Sequence, residues 1–263
     1  MKRALVFLIC LSFFTLRSFG GVLVFEGNYQ GKNLYVQNPF TKAGVGFCAY
    51  EVLVNDKVTT DETNSSAFEI DLSVHDLEIG EKITVKVKYT DDCTPKVLNP
   101  EVLKPKSTFE TIDIKVTDDR ILKWTTKGET GELPYIIEQK RWNKWVRVGE
   151  VQGKGTPEKH EYSFKIQPHS GENIFRVKQV DYTGRPRVSP TAKYRDPSMK
   201  ELTFSPKKVS DKIMISGETL YEIYDQYGNI VKKGFDDTIN VENLDKGLYY
   251  LNFDNKYKEF VKK

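Results

Sequence analysis

A strict alternation of apolar and polar residues is the feature that most constrains the fold of this chain. The stretches FEIDLSV at residues 68–74 and ITVKVKY at residues 83–89 both alternate in this way. A period of two places successive side chains on opposite faces of a strand, so both stretches predict half-buried strands. We find no sustained apolar stripe with the 3.6-residue period of a helix, and alanine is scarce after residue 20. Helices should therefore be few and short.

Turn-forming residues recur at short intervals between the alternating runs. They include Asn55-Asp56, Gly128, Gly131, Asn143, Gly171, Gly184 and Gly228-Asn229. Short strands separated regularly by such turn signals are typical of β-sandwiches. The sequence therefore predicts an all-β protein built from tandem β-sandwich domains.

Two connecting segments divide the chain into candidate domains. TPKVLNPEVLKPKSTFE at residues 94–110 contains three prolines and no long alternation, and KYRDPSMKELTFSPKK at residues 193–208 marks a second joint. Each unit then has roughly 60 to 90 residues, enough for a small sandwich. The predicted organisation is a signal peptide at residues 1–20, an N-terminal β-sandwich at 21–105, a second β domain at 108–195, and a C-terminal β domain at 202–263.

The first twenty residues have the composition of a secretory signal peptide. Lys2 and Arg3 precede an apolar run from Ala4 to Leu16, and Gly20 lies among small residues that suit cleavage. The apolar run is too short to span a bilayer. We therefore expect a soluble, exported protein.

The charge of the mature chain does not favour nucleic-acid binding. The full chain has 40 basic and 37 acidic residues, and removing Lys2, Arg3 and Arg17 with the signal peptide leaves 37 of each. The remaining Lys and Arg are scattered among Asp and Glu, whereas binding to phosphates needs a concentrated basic stripe. We therefore expect no nucleic-acid partner.

Two cysteines, Cys48 and Cys93, remain after processing. Export to an oxidising compartment makes a disulfide plausible, and closing a loop of about 45 residues would contribute about 4 kcal/mol in the chain-entropy model. The alternative is a pair of separate thiols, one of them buried on a strand. The absence of a nearby histidine pattern argues against a zinc site.

Known patterns of catalytic, metal or cofactor sites are missing from the sequence. GNYQGKN at residues 27–33 has too few residues between its glycines for a phosphate loop, and no Ser or Thr follows its lysine. The histidines are His75, His160 and His169, and none lies in a HExxH pair or a nucleophile elbow. We therefore expect a non-enzymatic protein that needs no metal or cofactor, with His75 at the surface.

The middle of the chain carries motifs of a known domain family. Trp124, the glycine-rich stretch at residues 149–155 and FRVKQVDYTG at residues 175–184 are its main matches. These residues resemble the fibronectin-type-III-like domain that precedes the C-terminal sorting domain in exported proteins of the Bacteroidetes. The resemblance covers about residues 108–195, and it implies fold and lineage more than activity. With it, the expected fold is three tandem β-sandwich domains of the immunoglobulin or fibronectin type III kind.

The C-terminal residues carry a second set of motifs. Tyr224, Asp225, Gly228 and Val231 match a YDxxGxxV hairpin, and Leu244, Gly247, Tyr249 and Leu251 match a LxxGxYxL strand. Residues 202–263 thus resemble the type A C-terminal sorting domain of the type IX secretion system. At residues 206–208 the chain departs from the family, with Pro-Lys-Lys where the family has Pro-Asn-Pro.

The resemblance implies that an outer-membrane translocon recognises this domain. The residues expected at the contact are Tyr224, Asp225, Gly228, Gly247 and Tyr249. An exposed strand edge can be recognised through backbone pairing. The alternative is a small terminal domain with no docking role.

A further candidate contact lies in the middle domain, in KRWNKW at residues 140–145. Trp142 falls at a hairpin tip beside Arg141 and Lys144, where water would normally meet it. Trp and Arg contribute strongly to protein interfaces, so these three residues could bind a partner. Alternatively, Trp142 could fold back over the edge of its own sheet.

Two functional hypotheses follow. In the first, the chain is a non-enzymatic component or accessory of the type IX machinery, located in the periplasm at the outer membrane through contacts with translocon proteins. The absence of a separate cargo domain and the altered motif at residues 206–208 favour it. In the second, the chain is exported cargo, a small surface adhesin or glycan-binding protein whose tail is cleaved after transport. The second is favoured because most proteins with such a tail are cargo.

Overall fold

The structure is a computed structural model that describes residues 20–90 and 93–263. The predicted signal peptide, apart from Gly20, lies outside these residues. The described chain consists of β-strands joined by turns and two short 3-10 helices, which confirms the all-β prediction. Among the described residues, no helix has the length and apolar character that crossing a membrane requires.

The chain divides into two compact units. The first contains the described residues up to Gly27, with Gly31–Leu77 and Lys82–Leu103. The second contains Asn28–Gln30, Glu78–Glu81 and Lys104–Lys263. The predicted boundaries of three domains stay a prediction, because the two C-terminal domains of that scheme lie within one unit here.

Among the described residues before 104, seven strands form two sheets. They are β1 (Gly21–Asn28), β2 (Leu34–Gln37), β3 (Ala49–Val54), β4 (Lys57–Val58), β5 (Ala67–Ile70), β6 (Lys82–Tyr89) and β7 (Lys96–Val97). One sheet has the strand order β1-β6-β3-β4 and the other has the order β5-β2-β7. Both sheets contribute fully buried side chains, among them Val36 and Val85. The two 3-10 helices, Leu72–His75 and Pro100–Leu103, also lie in this part of the chain.

The alternation at residues 68–74 produces a shorter strand than predicted. Strand β5 ends at Ile70, and Leu72–His75 form a 3-10 helix instead. The reason is local, because the carboxylate of Asp71 accepts a hydrogen bond from the backbone N–H of Ser73 and caps the helix. Residues 83–89, by contrast, lie in β6 and alternate as predicted, with Ile83, Val85 and Val87 buried.

A disulfide bond joins Cys48 to Cys93, with the two Cα atoms 5.8 Å apart. Cys48 is fully buried. The bond links the residue before β3 to the segment that follows β6.

Residues 110–195 form a two-layered sandwich. The strands are β8 (Glu110–Val116), β9 (Ile121–Lys127), β10 (Pro134–Arg141), β11 (Lys144–Gln152), β12 (His160–Lys165), β13 (Glu172–Val180), β14 (Pro186–Val188) and β15 (Ala192–Arg195). One sheet has the order β12-β9-β8, and the other has the order β11-β10-β13-β14 with β15 also paired to β13. The two sheets share one hydrophobic core. Trp124 and Tyr162 of the first sheet and Tyr135 and Phe175 of the second belong to it.

One glycine of this sandwich is required by packing. Gly149 lies within β11, and a Cβ atom placed there would lie 2.3 Å from the ring of Phe164. A larger residue would push that ring out of place, so packing requires Gly149, whereas Gly153 and Gly155 of the same stretch lie in the loop after β11.

The last six strands form one sheet with its own core. They are β16 (Phe204–Ser205), β17 (Lys208–Val209), β18 (Lys212–Tyr224), β19 (Ile230–Asn240), β20 (Gly247–Phe253) and β21 (Lys256–Lys262). The order is β16-β18-β20-β21-β17, and β19 pairs with β18. The apolar residues of β20, Tyr249, Leu251 and Phe253, point into the hydrophobic cluster, while Tyr250 between them is half-buried.

Candidate functional site

The tip of the β10–β11 hairpin contacts the C-terminal sheet. Trp142 and Asn143 both have positive φ angles, 51° and 62°, which is the backbone of a type I′ turn. Tryptophan rarely adopts a positive φ, because its Cβ atom crowds the backbone there. The backbone N–H of Trp142 donates a hydrogen bond to the side-chain oxygen of Asn255, 3.2 Å away. This contact helps to hold the strained turn against the β20–β21 hairpin.

Arg141, the last residue of β10, is only 1% exposed. Its guanidinium donates to the side chain of Gln139 at 2.6 Å, to the backbone carbonyl of Gln167 at 3.1 Å and to the backbone carbonyl of Asp254 at 3.1 Å. Burial lowers the pKa of Arg141 to about 10, and the nearby Asp254 opposes that shift. The side chain therefore stays charged at neutral pH, and its hydrogen bonds compensate for the lost water.

Asp254 is the counterpart of Arg141 in the β20–β21 turn. It is 1% exposed and has a φ of 52°. Its carboxylate accepts hydrogen bonds from the backbone N–H of Ser170 at 2.8 Å, from the hydroxyl of Ser170 at 2.5 Å and from the backbone N–H of Leu202 at 3.3 Å. One carboxylate therefore ties the loop before β13 and the segment before β16 to the last hairpin.

His169 is buried beside this cluster and is 1% exposed. Its Nδ1 lies 2.6 Å from the backbone carbonyl of Ser170, which fixes that nitrogen as the donor. Burial is the main cause that lowers the pKa of His169, and the charge of Arg141 adds to it. The other ring nitrogen has no hydrogen-bond partner in the part of the chain that the structure describes.

A second group of contacts lies on the other side of the hairpin tip. The ammonium group of Lys144 donates to the carboxylate of Glu222 at 2.5 Å and to the hydroxyl of Tyr224 at 2.7 Å. That hydroxyl in turn donates to Glu222 at 2.6 Å. Burial alone would lower the pKa of Lys144, but these hydrogen bonds outweigh it and raise the pKa. The pKa of Tyr224 is also raised, chiefly by burial.

We call Arg141, Trp142, Lys144, Glu222 and Asp254 the junction cluster. Its members come from two sequence regions that were expected to act separately. The hairpin tip was expected to meet water, but Arg141 is buried and Trp142 is half-buried, because the tip packs on the C-terminal sheet. Binding of an external partner by these residues stays a prediction.

The other motif residues of the C-terminal sheet lie away from the cluster. Asp225 accepts hydrogen bonds from the backbone N–H groups of Tyr227 and Asn229, both at 2.9 Å, and so shapes the β18–β19 turn. A hydrogen bond from the Asn229 side chain is the main cause that lowers the pKa of Asp225. Gly228 has a φ of 83° in the same exposed turn.

Gly247 and Tyr249 belong to β20, apart from that turn. Gly247 is exposed, whereas Tyr249 is buried, and its hydroxyl donates to the backbone carbonyl of Asp245 at 3.0 Å. The ring of Tyr249 stacks on Phe260, with 5.5 Å between the ring centres. Tyr249 therefore belongs to the hydrophobic core, and its contact with a partner stays a prediction.

The three histidines have separate surroundings. His75 is half-buried at the end of the first 3-10 helix, and Nε2 of His160 lies 2.8 Å from the hydroxyl of Thr156. Within residues 20–90 and 93–263, no group of three or more His, Cys, Asp or Glu side chains has an arrangement that could hold a metal ion.

Sequence reasoning missed the residues that contact or surround the β10–β11 hairpin tip. Asp254, Glu222, Ser170 and His169 have no motif of their own. The DN pair at residues 254–255 signals a hairpin turn, but a turn signal does not reveal which distant backbone groups the carboxylate will bind. Only the fold brings these residues to the hairpin tip.

Comparison with known proteins identifies the C-terminal part of the chain. Residues 197–263 match the family described as the secretion system C-terminal sorting domain. No curated protein matches the chain.

Solved structures give only weak likenesses. A tetra-tandem repeat from the extending region of a large adhesion protein has a TM-score of 0.29 and 10% identity, covering 94% of this chain and 75% of its own. The FN1–FN3 domains of chicken CNTN1 have a TM-score of 0.25 and 13% identity, with coverage of 93% and 98%. The BSP domain of a biofilm-associated protein has a TM-score of 0.23 and 12% identity, with coverage of 93% and 63%. At these scores the likenesses carry no argument about function.

The assignment therefore rests on the C-terminal residues. Their match agrees with the motifs of the β18–β19 hairpin and of β20. Residues 197–263 are a C-terminal sorting domain of the kind that directs type IX secretion, which implies an exported protein.

Proposed function

We propose that this chain is cargo of the type IX secretion system and acts at the cell surface as a non-enzymatic binding protein. The match of residues 197–263 to the sorting-domain family carries this proposal. Such a domain is the export signal of cargo. The hypothesis of a machinery component, which the absence of a separate cargo domain and the altered motif at residues 206–208 favoured, gains no support from the comparisons.

The exposed parts of the sorting domain are the surfaces that a translocon protein could reach. The turn at Asp225–Asn229 and the start of β20 at Gly247 are open to solvent. The hydroxyl groups of Tyr224 and Tyr249, by contrast, form hydrogen bonds within the chain. Strand β19 pairs with β18 on one side only, and most of its residues are exposed. An edge of this kind supports recognition through backbone pairing.

A groove beside the junction cluster supports the glycan-binding form of the proposal. It has a volume of about 640 Å³, and Trp145 and Phe235 line it together with members of the cluster. This volume lies in the range of about 300–1,000 Å³ that is usual for ligand sites. Arg176 lies 4.0 Å from the ring centre of Trp145, so one face of that ring is already covered. Flat aromatic surfaces beside the polar pair Lys144–Glu222 suit a sugar, which has both apolar faces and hydroxyl groups.

Export is tested by following the full chain in a bacterium with a working type IX system and in a matched strain that lacks the translocon. We expect surface-exposed, protease-accessible protein only in the first strain. A variant that ends at residue 196 should stay in the periplasm of both strains. Equal periplasmic retention of the full chain in both strains, together with co-purification with the translocon, would instead favour the machinery component.

Glycan binding is tested separately on the purified full chain, with an array of neutral and acidic oligosaccharides. Trp145→Ala should weaken binding at least tenfold, while circular dichroism shows that the variant keeps its fold. The control is Tyr227→Ala, since Tyr227 is 80% exposed and lies outside the groove. If no oligosaccharide binds, the glycan role fails and the export route is unaffected.

A further inference from the structure

The segment that connects the sandwich to the sorting domain is fixed by hydrogen bonds. It runs from the end of β15 at Arg195 to the start of β16 at Phe204. A protease that removes a domain needs an exposed and mobile segment that it can bind in an extended form. Most side chains of residues 196–203 are exposed, so the hydrogen bonds of this segment, and not its burial, decide whether the sorting domain can be released.

Asp196 holds the first half of the connecting segment. It is 7% exposed, and its carboxylate accepts hydrogen bonds from the backbone N–H of Ser198 at 2.9 Å and from the hydroxyl of Ser198 at 2.6 Å. Arg120, from the β8–β9 turn, forms an ion pair with the same carboxylate at 2.6 Å and donates to the hydroxyl of Ser198 at 3.2 Å. The backbone N–H of Met199 donates to the carbonyl of Asp196 at 3.2 Å. The segment therefore begins with a closed turn that is bound to the sandwich.

The second half is held by the sorting domain. The backbone N–H of Leu202 donates to Asp254 at 3.3 Å, and that of Thr203 donates to the hydroxyl of Ser216 at 2.9 Å. Glu201 forms an ion pair with Lys256. Four backbone N–H groups between residues 196 and 204 are thus hydrogen-bonded, so binding in an extended form would require breaking several of them.

Loss of the sorting domain would also break the contacts that the β10–β11 hairpin tip and the loop before β13 make with it. Arg141 would lose the carbonyl of Asp254, and Ser170 would lose both of its bonds to the Asp254 carboxylate. Lys144 would lose Glu222 and Tyr224. The half-buried Trp142 would become more exposed. The junction cluster thus stabilises the sandwich as well as the sorting domain.

We propose that the sorting domain of this chain stays attached after export and is a permanent part of the folded protein. This inference rests on the proposed export, but it departs from the expectation that the tail is cleaved after transport. Retention also preserves the groove, since Phe235 and Glu222 belong to the sorting domain. The protein outside the cell would therefore extend to Lys263.

The test is the intact mass of the full chain purified from the surface of cells with a working type IX system, measured under denaturing conditions. We expect a mass that reaches Lys263. A surface-exposed protein that ends near residues 196–203 would overturn the proposal while leaving export intact. A protein that never reaches the surface would contradict export instead.

Limited proteolysis of the purified full chain with a broad-specificity protease provides a second test. Asp196→Ala removes the acceptor that holds Ser198 and Arg120, so we expect cleavage within residues 196–203 at least tenfold faster than in the wild-type protein. Lys193→Ala is a matched control, because Lys193 is exposed and its ion pair is with Glu172 on the neighbouring strand, not with the connecting segment. If the wild-type segment is cut as fast as the variant, the segment is not protected and the proposal is wrong.

Discussion

At the scale of single residues, Arg141 shows how a charged side chain can be almost fully buried. A buried charge is costly unless hydrogen bonds replace the lost water. Gln139, Gln167 and Asp254 supply three oxygen acceptors, two of them backbone carbonyls. The guanidinium can satisfy all three at once because its donors are fixed in a planar fork. Lysine, with a single ammonium group, could not reach three separate acceptors in the same way.

We therefore expect Arg141→Ala to lower the free energy of unfolding of residues 104–263 by about 3 kcal/mol, because it leaves buried acceptors unpaired. Chemical denaturation followed by tryptophan fluorescence measures the change. Lys115→Ala is the control, since Lys115 is exposed and its ion pair with Asp113 is worth less than about 1 kcal/mol. A change of less than about 1 kcal/mol for Arg141→Ala would show that the junction cluster does not stabilise the fold.

At the scale of elements, the two glycines of the sorting motifs have different physical roles. Gly228 has a φ of 83°, which an L-residue with a side chain rarely adopts. Gly247 has no positive φ, and a Cβ atom there would make only ordinary contact with Tyr249 at 3.9 Å. The conformation of the turn therefore explains Gly228 but not Gly247.

This difference gives a paired prediction. Gly228→Ala should destabilise the sorting domain by about 1 kcal/mol through backbone strain, whereas Gly247→Ala should be neutral or slightly stabilising. Thermal unfolding measures both. Because Gly247→Ala leaves the fold intact, its export in cells tests recognition directly. Normal export of this variant would remove Gly247 from the surface that the translocon recognises.

The elements themselves were largely predictable, because strands and turns leave local signals in the sequence. The alternation at residues 83–89 and the glycine of the β18–β19 turn both led to correct expectations. The 3-10 helix at Leu72–His75 was missed because its cap, Asp71, also fits an alternating pattern. The junction cluster could not be predicted, since Arg141 and Asp254 are 113 residues apart and only the tertiary fold brings them into contact.

At the scale of the whole molecule, the two compact units are stabilised by different means. The first contains the disulfide between Cys48 and Cys93, which have a sequence separation of 45. The second has no disulfide among its described residues and contains Trp124, Trp142 and Trp145, the three tryptophans of the chain. Tryptophan fluorescence therefore reports on the second unit, whereas far-ultraviolet circular dichroism reports on both.

This distribution makes the role of the disulfide measurable. We expect the double substitution Cys48→Ser with Cys93→Ser to lower the stability of the first unit by about 2–5 kcal/mol, because the unfolded chain regains the freedom of a long loop. The transition seen by circular dichroism should then move to lower temperature or split, while the tryptophan transition stays in place. Adding a reductant to the wild-type protein should have the same effect. If the tryptophan transition moves equally, the two units unfold together and the disulfide stabilises the whole chain.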